Sequence, residues 1–213
     1  MVSGNCCGVE KIFDSKEAAK LKKKYLKKGP RGVTRVLVQL LDRLPKEGKS
    51  LLDIGGGVGA LQWHFLENGG ESSTDIDASE AYLKTAEELS QEKGLSDRTK
   101  FVLADIACLE DIGPHQYVTL DKVVCCYPDY KSLLEKATGN CTETLALSMP
   151  VSNMVSRAIS KMTNVWLSYI KRSPFRMHIH QVKEIDAFIE SKGFKLIDKK
   201  LSFPWWARVY GRG

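Results

Sequence analysis

The sequence lacks the segments by which several classes of protein are recognised. It contains no run of about 18 apolar residues, so we predict no membrane-spanning helix. Residues 1–10 have no apolar core, which argues against a secretory signal peptide and leads us to expect a cytoplasmic protein. No internal repeat is visible.

The cysteines are wrongly spaced for a metal site or a disulfide framework. Four of the six cysteines form the adjacent pairs Cys6-Cys7 and Cys125-Cys126, and no C-x-x-C motif occurs. We therefore predict reduced thiols and no bound metal ion. The sequence indicates no role for Cys6-Cys7.

The composition is that of a soluble globular protein with one core. The chain has 213 residues, of which 43% are hydrophobic and 27% are charged. Its net charge of +6 allows an anionic partner but does not require nucleic acid.

Short apolar segments alternate with amphipathic segments along most of the chain. Strands are predicted at 51–54, 72–76, 101–104, 117–120 and 144–148, with helices between them. This alternation predicts a doubly wound α/β fold with a mostly parallel sheet. Two further strands, at 194–201 and 207–210, are predicted to form an antiparallel pair at the C-terminus.

A glycine-rich turn follows the first predicted strand. Asp53, Gly55, Gly57 and Gly59 occupy alternate positions, and a helix is predicted at 60–66. A phosphate-binding loop would end in Gly-Lys-Ser/Thr and a dinucleotide fingerprint would read G-x-G-x-x-G, but neither pattern is present. An acid before the first glycine suits a ligand with an ammonium group, although a purely structural turn is the alternative.

This glycine pattern resembles motif I of the class I S-adenosylmethionine-dependent methyltransferases. The resemblance runs from about Val33 to the C-terminus. It implies a Rossmann-like methyltransferase fold of seven strands, one of them antiparallel, at 33–213, preceded by a helical extension at 1–32. It also implies S-adenosylmethionine as the cofactor and methyl transfer as the reaction.

The resemblance assigns roles to acids at the ends of successive strands. Asp53 would order the glycine loop and approach the ammonium group of the cofactor. Asp77 would accept hydrogen bonds from both ribose hydroxyls, with Asp75 as the alternative. Asp105 and Ile106 would form the adenine site.

The segment before position 33 is predicted to form a helix at 14–28 with few apolar residues. We expect this helix to close over the cofactor as a mobile lid, with Tyr25 and Arg35 near the methionine end and Arg35 paired with its carboxylate. The lysines on its other face form either a solvated surface or a site for an anionic partner.

The segment 119–129 falls where the family places its reactive region. It contains Cys126-Tyr127-Pro128 and lacks the Asn/Asp-Pro-Pro-Tyr signature of the amino-methyltransferases of nucleic acid bases, which argues against DNA as the substrate. The segment is similar to magnesium-protoporphyrin O-methyltransferases. We therefore expect a small-molecule acceptor, such as an apolar or aromatic acid or a hydroxyl compound.

Asp121, Tyr127 and His180 are the predicted catalytic residues at this acceptor site. The apolar stripe of the helix predicted at 154–171 is expected to pack in the core or to form a wall of the acceptor pocket through Met162, Trp166 and Tyr169. Methylation of RNA or protein, and a non-catalytic scaffold that retains the cofactor site, remain as alternative functions. The oligomeric state is not indicated.

Overall fold

The computed structural model describes residues 8–213, so Cys6-Cys7 lies outside the described residues. Seven strands form one sheet. They are β1 Ser50–Ile54, β2 Ser72–Asp77, β3 Thr99–Leu103, β4 His115–Asp121, β5 Cys141–Pro150, β6 Phe194–Ser202 and β7 Trp205–Arg212. In space the strands follow the order β3-β2-β1-β4-β5-β7-β6.

Helices connect the strands and precede them. They are α1 Val9–Ile12, α2 Ser15–Lys28, α3 Val33–Leu41, α4 Ala60–Glu67, α5 Glu80–Glu92, α6 Tyr130–Gly139, α7 Met154–Tyr169 and α8 Val182–Ser191. Single 3₁₀ turns lie at Ser96–Arg98, Ile106–Cys108 and Val124–Cys126. No helix within residues 8–213 is long and apolar enough to cross a membrane.

The sheet confirms the predicted fold class. β3, β2, β1, β4 and β5 pair in parallel, whereas β7 runs antiparallel to both of its neighbours, β5 and β6. Because the order reverses direction at β1 and β4, the carboxyl ends of these two strands flank the crevice in which such sheets bind ligands.

Two apolar layers cover the two faces of the sheet. On one face, Leu37 of α3, Leu61 of α4 and Leu89 of α5 pack with Tyr117 of β4. On the other face, Leu133 of α6 and Ile185 and Ile189 of α8 pack with Val118 and Leu120. Consecutive residues of β4 point to opposite faces, as a strand buried on both sides requires.

Helix α2 lies across the carboxyl edge of the sheet. Asp14 caps its N-terminus by accepting a hydrogen bond from the backbone N–H of Glu17 at 2.9 Å. Ala18 is fully buried in the core layer of α3–α5. Farther along, the Lys22 Nζ atom pairs with Glu88 at 3.2 Å and Glu92 at 2.8 Å on α5.

The apolar stripe of α7 was predicted to pack in the core or to line the acceptor pocket, and this prediction is wrong. The stripe neither enters the core nor faces the ligand crevice. Met162, Trp166 and Tyr169 are 72%, 47% and 78% exposed. The buried face instead carries Ser156, Ser160 and Leu167. The helix therefore packs on the protein through a largely polar face and presents its apolar face to the outside.

Candidate cofactor and acceptor site

A cavity of about 610 Å³ opens at the carboxyl ends of β1, β2 and β4, beneath α2. Its floor contains Asp53, the glycine loop 55–57 and Asp77, and one wall contains Asp121, Lys122 and Tyr127. Its roof and apolar end are formed by Val9, Phe13, Leu21, Lys24, Tyr25, Arg31 and Phe175. Most of the residues predicted for the cofactor and acceptor sites therefore line one continuous space.

Asp53 is buried at the end of β1 and lines this cavity. Its Oδ1 atom accepts a hydrogen bond from the Thr119 hydroxyl at 2.6 Å, whereas Oδ2 has no hydrogen-bond partner within residues 8–213. Burial, together with the nearby charges of Asp121 and Asp77, raises the pKa of Asp53 to about 7 although the Thr119 bond lowers it. The Oδ2 atom lies beneath the glycine loop, because a Cβ atom at Gly56 would come within 2.8 Å of it. A buried carboxyl group with an unpartnered oxygen, in a residue that lines the cavity, fits a ligand that donates a hydrogen bond or carries a positive charge.

Asp77 is the last residue of β2, and its carboxylate is held at the cavity by two backbone amides. The N–H of Gly57 donates to Oδ2 at 3.1 Å, and the N–H of Ser79 donates to Oδ1 at 2.8 Å. Gly57 has φ +64°, a conformation that favours glycine, and this brings the loop amide within reach of Asp77. Burial raises the pKa of Asp77 to about 6. Each carboxylate oxygen retains a lone pair for a further donor, as a ribose diol would require.

Asp75, the alternative ribose ligand, is fully buried in β2 and is not among the cavity-lining residues. It accepts hydrogen bonds from the Gly56 N–H at 3.2 Å and from Gln62 Nε2 at 3.4 Å. A Cβ atom at Gly56 would lie 2.7 Å from Asp75 Oδ1, so the loop and this carboxyl group pack in direct contact. Asp75 therefore supports the loop from behind.

Asp105 lies behind the cavity wall, whereas its neighbour Ile106 lines the cavity. The Asp105 carboxylate is fully buried and accepts hydrogen bonds from the Ala107 N–H at 3.0 Å and the Tyr127 hydroxyl at 2.5 Å. In this arrangement Ile106 and Ala104 form the apolar surface available to an aromatic base. The Asp105 carboxylate reaches Tyr127 and not the surface of the cavity.

Asp121 ends β4 at the cavity and belongs to a hydrogen-bonded cluster. Its Oδ1 accepts from the Ser148 hydroxyl and its Oδ2 from the Thr34 hydroxyl, each at 2.5 Å. Lys122 Nζ donates to Thr34 Oγ1 at 2.7 Å and lies 3.2 Å from Asp121 Oδ2. Lys122 has φ +64°, an uncommon conformation for a residue with a side chain, and lines the cavity.

Thr34 and Lys122 are not among the residues predicted from the sequence. A signal was available for Lys122, because it directly follows the acid that ends a strand. No local pattern marks Thr34, which is 87 positions from Asp121 and meets it only through the fold.

Tyr127 lines the cavity, but His180 does not. The His180 Nε2 atom forms a hydrogen bond of 2.8 Å with the backbone carbonyl of Tyr127, and its ring centroid lies 4.7 Å from that of Tyr130. The adjacent ring of His178 is stacked on it at 5.9 Å. His180 is therefore placed to position Tyr127 from behind the wall.

At the roof, the structure separates the two residues predicted for the methionine end. Tyr25 lines the cavity, and burial raises its pKa to about 12. Arg35 is exposed on α3 and donates from Nε to the carbonyl of Pro30, so it does not line the cavity. Arg31, in the link between α2 and α3, lines it instead. Position 35 falls opposite the buried residues Leu37 and Leu41 of the same helix. The helical periodicity of the sequence therefore already indicated that Arg35 lies on the outer face.

The fold is shared with several solved structures. A magnesium protoporphyrin IX methyltransferase from Synechocystis PCC 6803, solved with bound S-adenosylhomocysteine, matches with a TM-score of 0.68 at 18% identity, covering 84% of this chain and 81% of that chain. An O-methyltransferase family protein from Burkholderia thailandensis gives a TM-score of 0.74 at 14% identity, covering 98% of this chain and 64% of that chain. The [4+2]-cyclase SpnF gives 0.62 at 16% identity, covering 78% and 59%.

These likenesses establish the methyltransferase-type fold, as the resemblance implied. No protein-family model and no curated protein sequence matches the chain. Because the cyclase has the same fold, the fold alone does not determine the reaction, which depends on the side chains of the site.

Proposed function

We propose that the chain is an S-adenosylmethionine-dependent methyltransferase that acts on a small apolar or aromatic acceptor. The observation that supports this most directly is the pair of carboxylates in the cavity floor. Asp77 offers two oriented oxygens to a diol, and Asp53 offers a buried oxygen without a partner within residues 8–213. A molecule that combines a ribose with an ammonium group matches both.

The remaining cofactor contacts follow from the lining of the cavity. Ile106 and Ala104 provide an apolar surface for the adenine, and Arg31 provides a cation at the roof for the carboxylate of the methionine part. The backbone of Gly55 and Gly57 forms the floor between the two carboxylates. When bound, S-adenosylmethionine supplies an electrophilic methyl group.

The acceptor class is inferred from the other part of the cavity. Val9, Phe13, Leu21 and Phe175 form an apolar region, and Asp121 and Lys122 supply polar groups near it. Such a mixture suits a ligand that is held by packing and oriented by a few polar contacts. Asp121 can accept a proton from an acceptor hydroxyl, while Thr34 and Ser148 fix the orientation of its carboxylate.

The carboxylates of the floor predict pH-dependent binding. Asp53 and Asp77, with pKa values raised from 3.8 to about 7 and about 6, hold protons in the ligand-free protein that an ammonium ligand must displace. Their contribution to stability is fully present below pH 3.8 and is lost as the pH rises through 6–7. S-adenosylhomocysteine affinity should therefore rise about 25-fold between pH 5.5 and 7.5 if only Asp53 must ionise, and about 100-fold if both carboxyl groups must.

Calorimetry in two buffers with different ionisation enthalpies would detect this coupling as proton release at pH 6. Asp53→Asn serves as the control, because it removes the carboxyl group whose pKa is raised more than that of Asp77. An affinity that is independent of pH in the wild-type protein would contradict the proposed ammonium contact.

The contact of the methionine carboxylate predicts a difference between two arginines. Arg31→Ala should weaken S-adenosylhomocysteine binding by about three- to tenfold, a modest effect because the side chain is exposed. Arg35→Ala, the matched control on the outer face of α3, should leave the affinity unchanged. Equilibrium binding of both variants tests this, and the opposite result would restore Arg35 as the partner.

The proposed reaction is tested with methyl-labelled S-adenosylmethionine. The protein would be incubated with separate small-molecule, RNA and protein fractions of a cell extract, and the label would be located by mass spectrometry. Label in the small-molecule fraction supports the proposal, whereas label confined to RNA or protein assigns the alternative acceptor. Binding of S-adenosylhomocysteine without any methyl transfer would indicate a scaffold. A calorimetric binding signal with NAD, and none with S-adenosylhomocysteine, would exclude the cofactor assignment.

A further inference from the structure

The outward face of α7 is an exposed apolar feature that the proposed reaction does not use. Seven residues of this helix and the residue after it are apolar or aromatic and at least 47% exposed: Met154, Val155, Ile159, Met162, Val165, Trp166, Tyr169 and Ile170. We call this set the α7 face. A contiguous apolar surface of this kind on a globular domain marks an interaction site.

The opposite side of α7 explains why the helix is oriented in this way. The Ser160 hydroxyl and Asn164 Nδ2 donate to the carbonyl of Met177 at 2.8 and 2.9 Å, and Asn164 Oδ1 accepts from the Met177 N–H at 2.7 Å. These bonds satisfy an extended backbone segment that lies outside the sheet. Rotating the helix to bury its apolar face would break them, so the exposure of the α7 face is specified by the fold.

The segment that contains α7 carries side-chain charges of one sign. Residues 144–183 contain no Asp or Glu but contain Arg157, Lys161, Lys171, Arg172, Arg176 and Lys183. Arg157, Lys161 and Arg176 line a groove of about 450 Å³ beside the helix. At the other end of the helix the Lys171 Nζ atom lies 5.7 Å from the centroid of the Trp166 ring. Cations therefore border the apolar face.

We propose that the α7 face docks the protein on an anionic lipid bilayer, with α7 lying in the plane of the interface. An exposed apolar stripe with Trp and Tyr, flanked by Lys and Arg, is the composition of a helix that inserts at the headgroup boundary. The groove of Arg157, Lys161 and Arg176 would receive lipid phosphates. A symmetric pair of copies joined through this face would bring two basic surfaces together without compensating acids, so charge favours the membrane over a second copy.

The test uses the full-length protein and lipid vesicles of defined composition. The protein should co-sediment with vesicles containing phosphatidylglycerol and phosphatidylcholine and remain in solution with phosphatidylcholine alone. Met162→Ser/Trp166→Ser should weaken binding at least tenfold by removing inserted apolar groups. Arg157→Gln/Lys161→Gln should weaken it about 30-fold at low salt, because each cation near an anionic surface contributes about a factor of five.

Matched controls separate docking from folding. Ile197→Ser/Phe203→Ser removes two apolar residues that are 52% and 68% exposed elsewhere on the surface, and it should bind vesicles like the wild type. All variants should keep the wild-type melting temperature, because the substituted side chains are exposed, and the wild-type S-adenosylhomocysteine affinity, because none of them lines the cavity. Equal vesicle binding by the α7 variants and the wild type would overturn the proposal. A second outcome would also overturn it: a wild-type protein that sediments as a dimer, does not bind vesicles, and becomes monomeric when Met162→Ser/Trp166→Ser is introduced.

Discussion

Replacing Asp77 by alanine is expected to weaken S-adenosylhomocysteine binding by about ten- to 150-fold, or about 1.5–3 kcal/mol. The carboxylate is the acceptor for the ribose hydroxyls in the proposed complex, and no other described carboxylate at the end of β2 lines the cavity. Its removal also leaves the Gly57 and Ser79 amides without their acceptor. Isothermal titration calorimetry measures the loss directly.

Asp75→Asn provides the matched control for this effect. Asp75 stands two residues earlier in the same strand, and burial raises its pKa well above the ordinary value. Because burial disfavours a charge at this position, the neutral and nearly isosteric Asn should be tolerated, and the affinity should stay within about threefold. If Asp75→Asn abolished binding while Asp77→Ala left it intact, the ribose contact would belong to Asp75.

Asp121→Asn is expected to lower kcat by about 100-fold while leaving S-adenosylhomocysteine affinity within about threefold. Asn keeps one oxygen for the Thr34 or Ser148 hydroxyl but cannot take a proton from the acceptor. Single-turnover kinetics with the acceptor found in the transfer experiment, or with a phenol as surrogate, separate this step from binding.

Two further variants distinguish proton transfer from positioning at this wall. Tyr127→Phe removes the hydroxyl that donates to Asp105, and His180→Ala removes the ring that bonds the Tyr127 carbonyl. Both should lower kcat by about tenfold or less, whereas Asp121→Asn should lower it by about 100-fold. Turnover at the wild-type rate in all three variants would place the acceptor site elsewhere.

The positions of Asp53 and Asp77 in the crevice could be predicted from the sequence because they depend on strand ends alone. In an alternating α/β chain the carboxyl ends of parallel strands meet at one edge, so an acid at each end is brought to the same crevice. Asp105 shows the limit of this rule. It follows β3 as expected, but its side chain is directed by the Tyr127 hydroxyl, a contact across 22 positions that no local pattern specifies.

The orientation of α7 could not be predicted for a similar reason. A periodic apolar stripe defines two faces of a helix but does not determine which of them packs on the protein. Here Ser160 and Asn164 determine which face of α7 packs on the protein, because they form hydrogen bonds with backbone groups of an irregular segment. That segment belongs to no strand or helix, and its unmet hydrogen bonds are not visible in the sequence.

The attachment of α2 to α5 makes the turnover rate of the proposed reaction depend on ionic strength. This helix forms part of the cavity roof, yet beyond Ala18 its body is tied to α5 through Lys22 and the exposed carboxylates of Glu88 and Glu92. Ion pairs at a surface weaken as ionic strength rises, whereas the buried floor of the site is screened far less. Rising salt should therefore weaken the ion pairs that hold α2 to α5 before it weakens ligand binding by the buried floor of the cavity. An enzyme limited by product escape would then turn over faster in moderate salt than in dilute buffer.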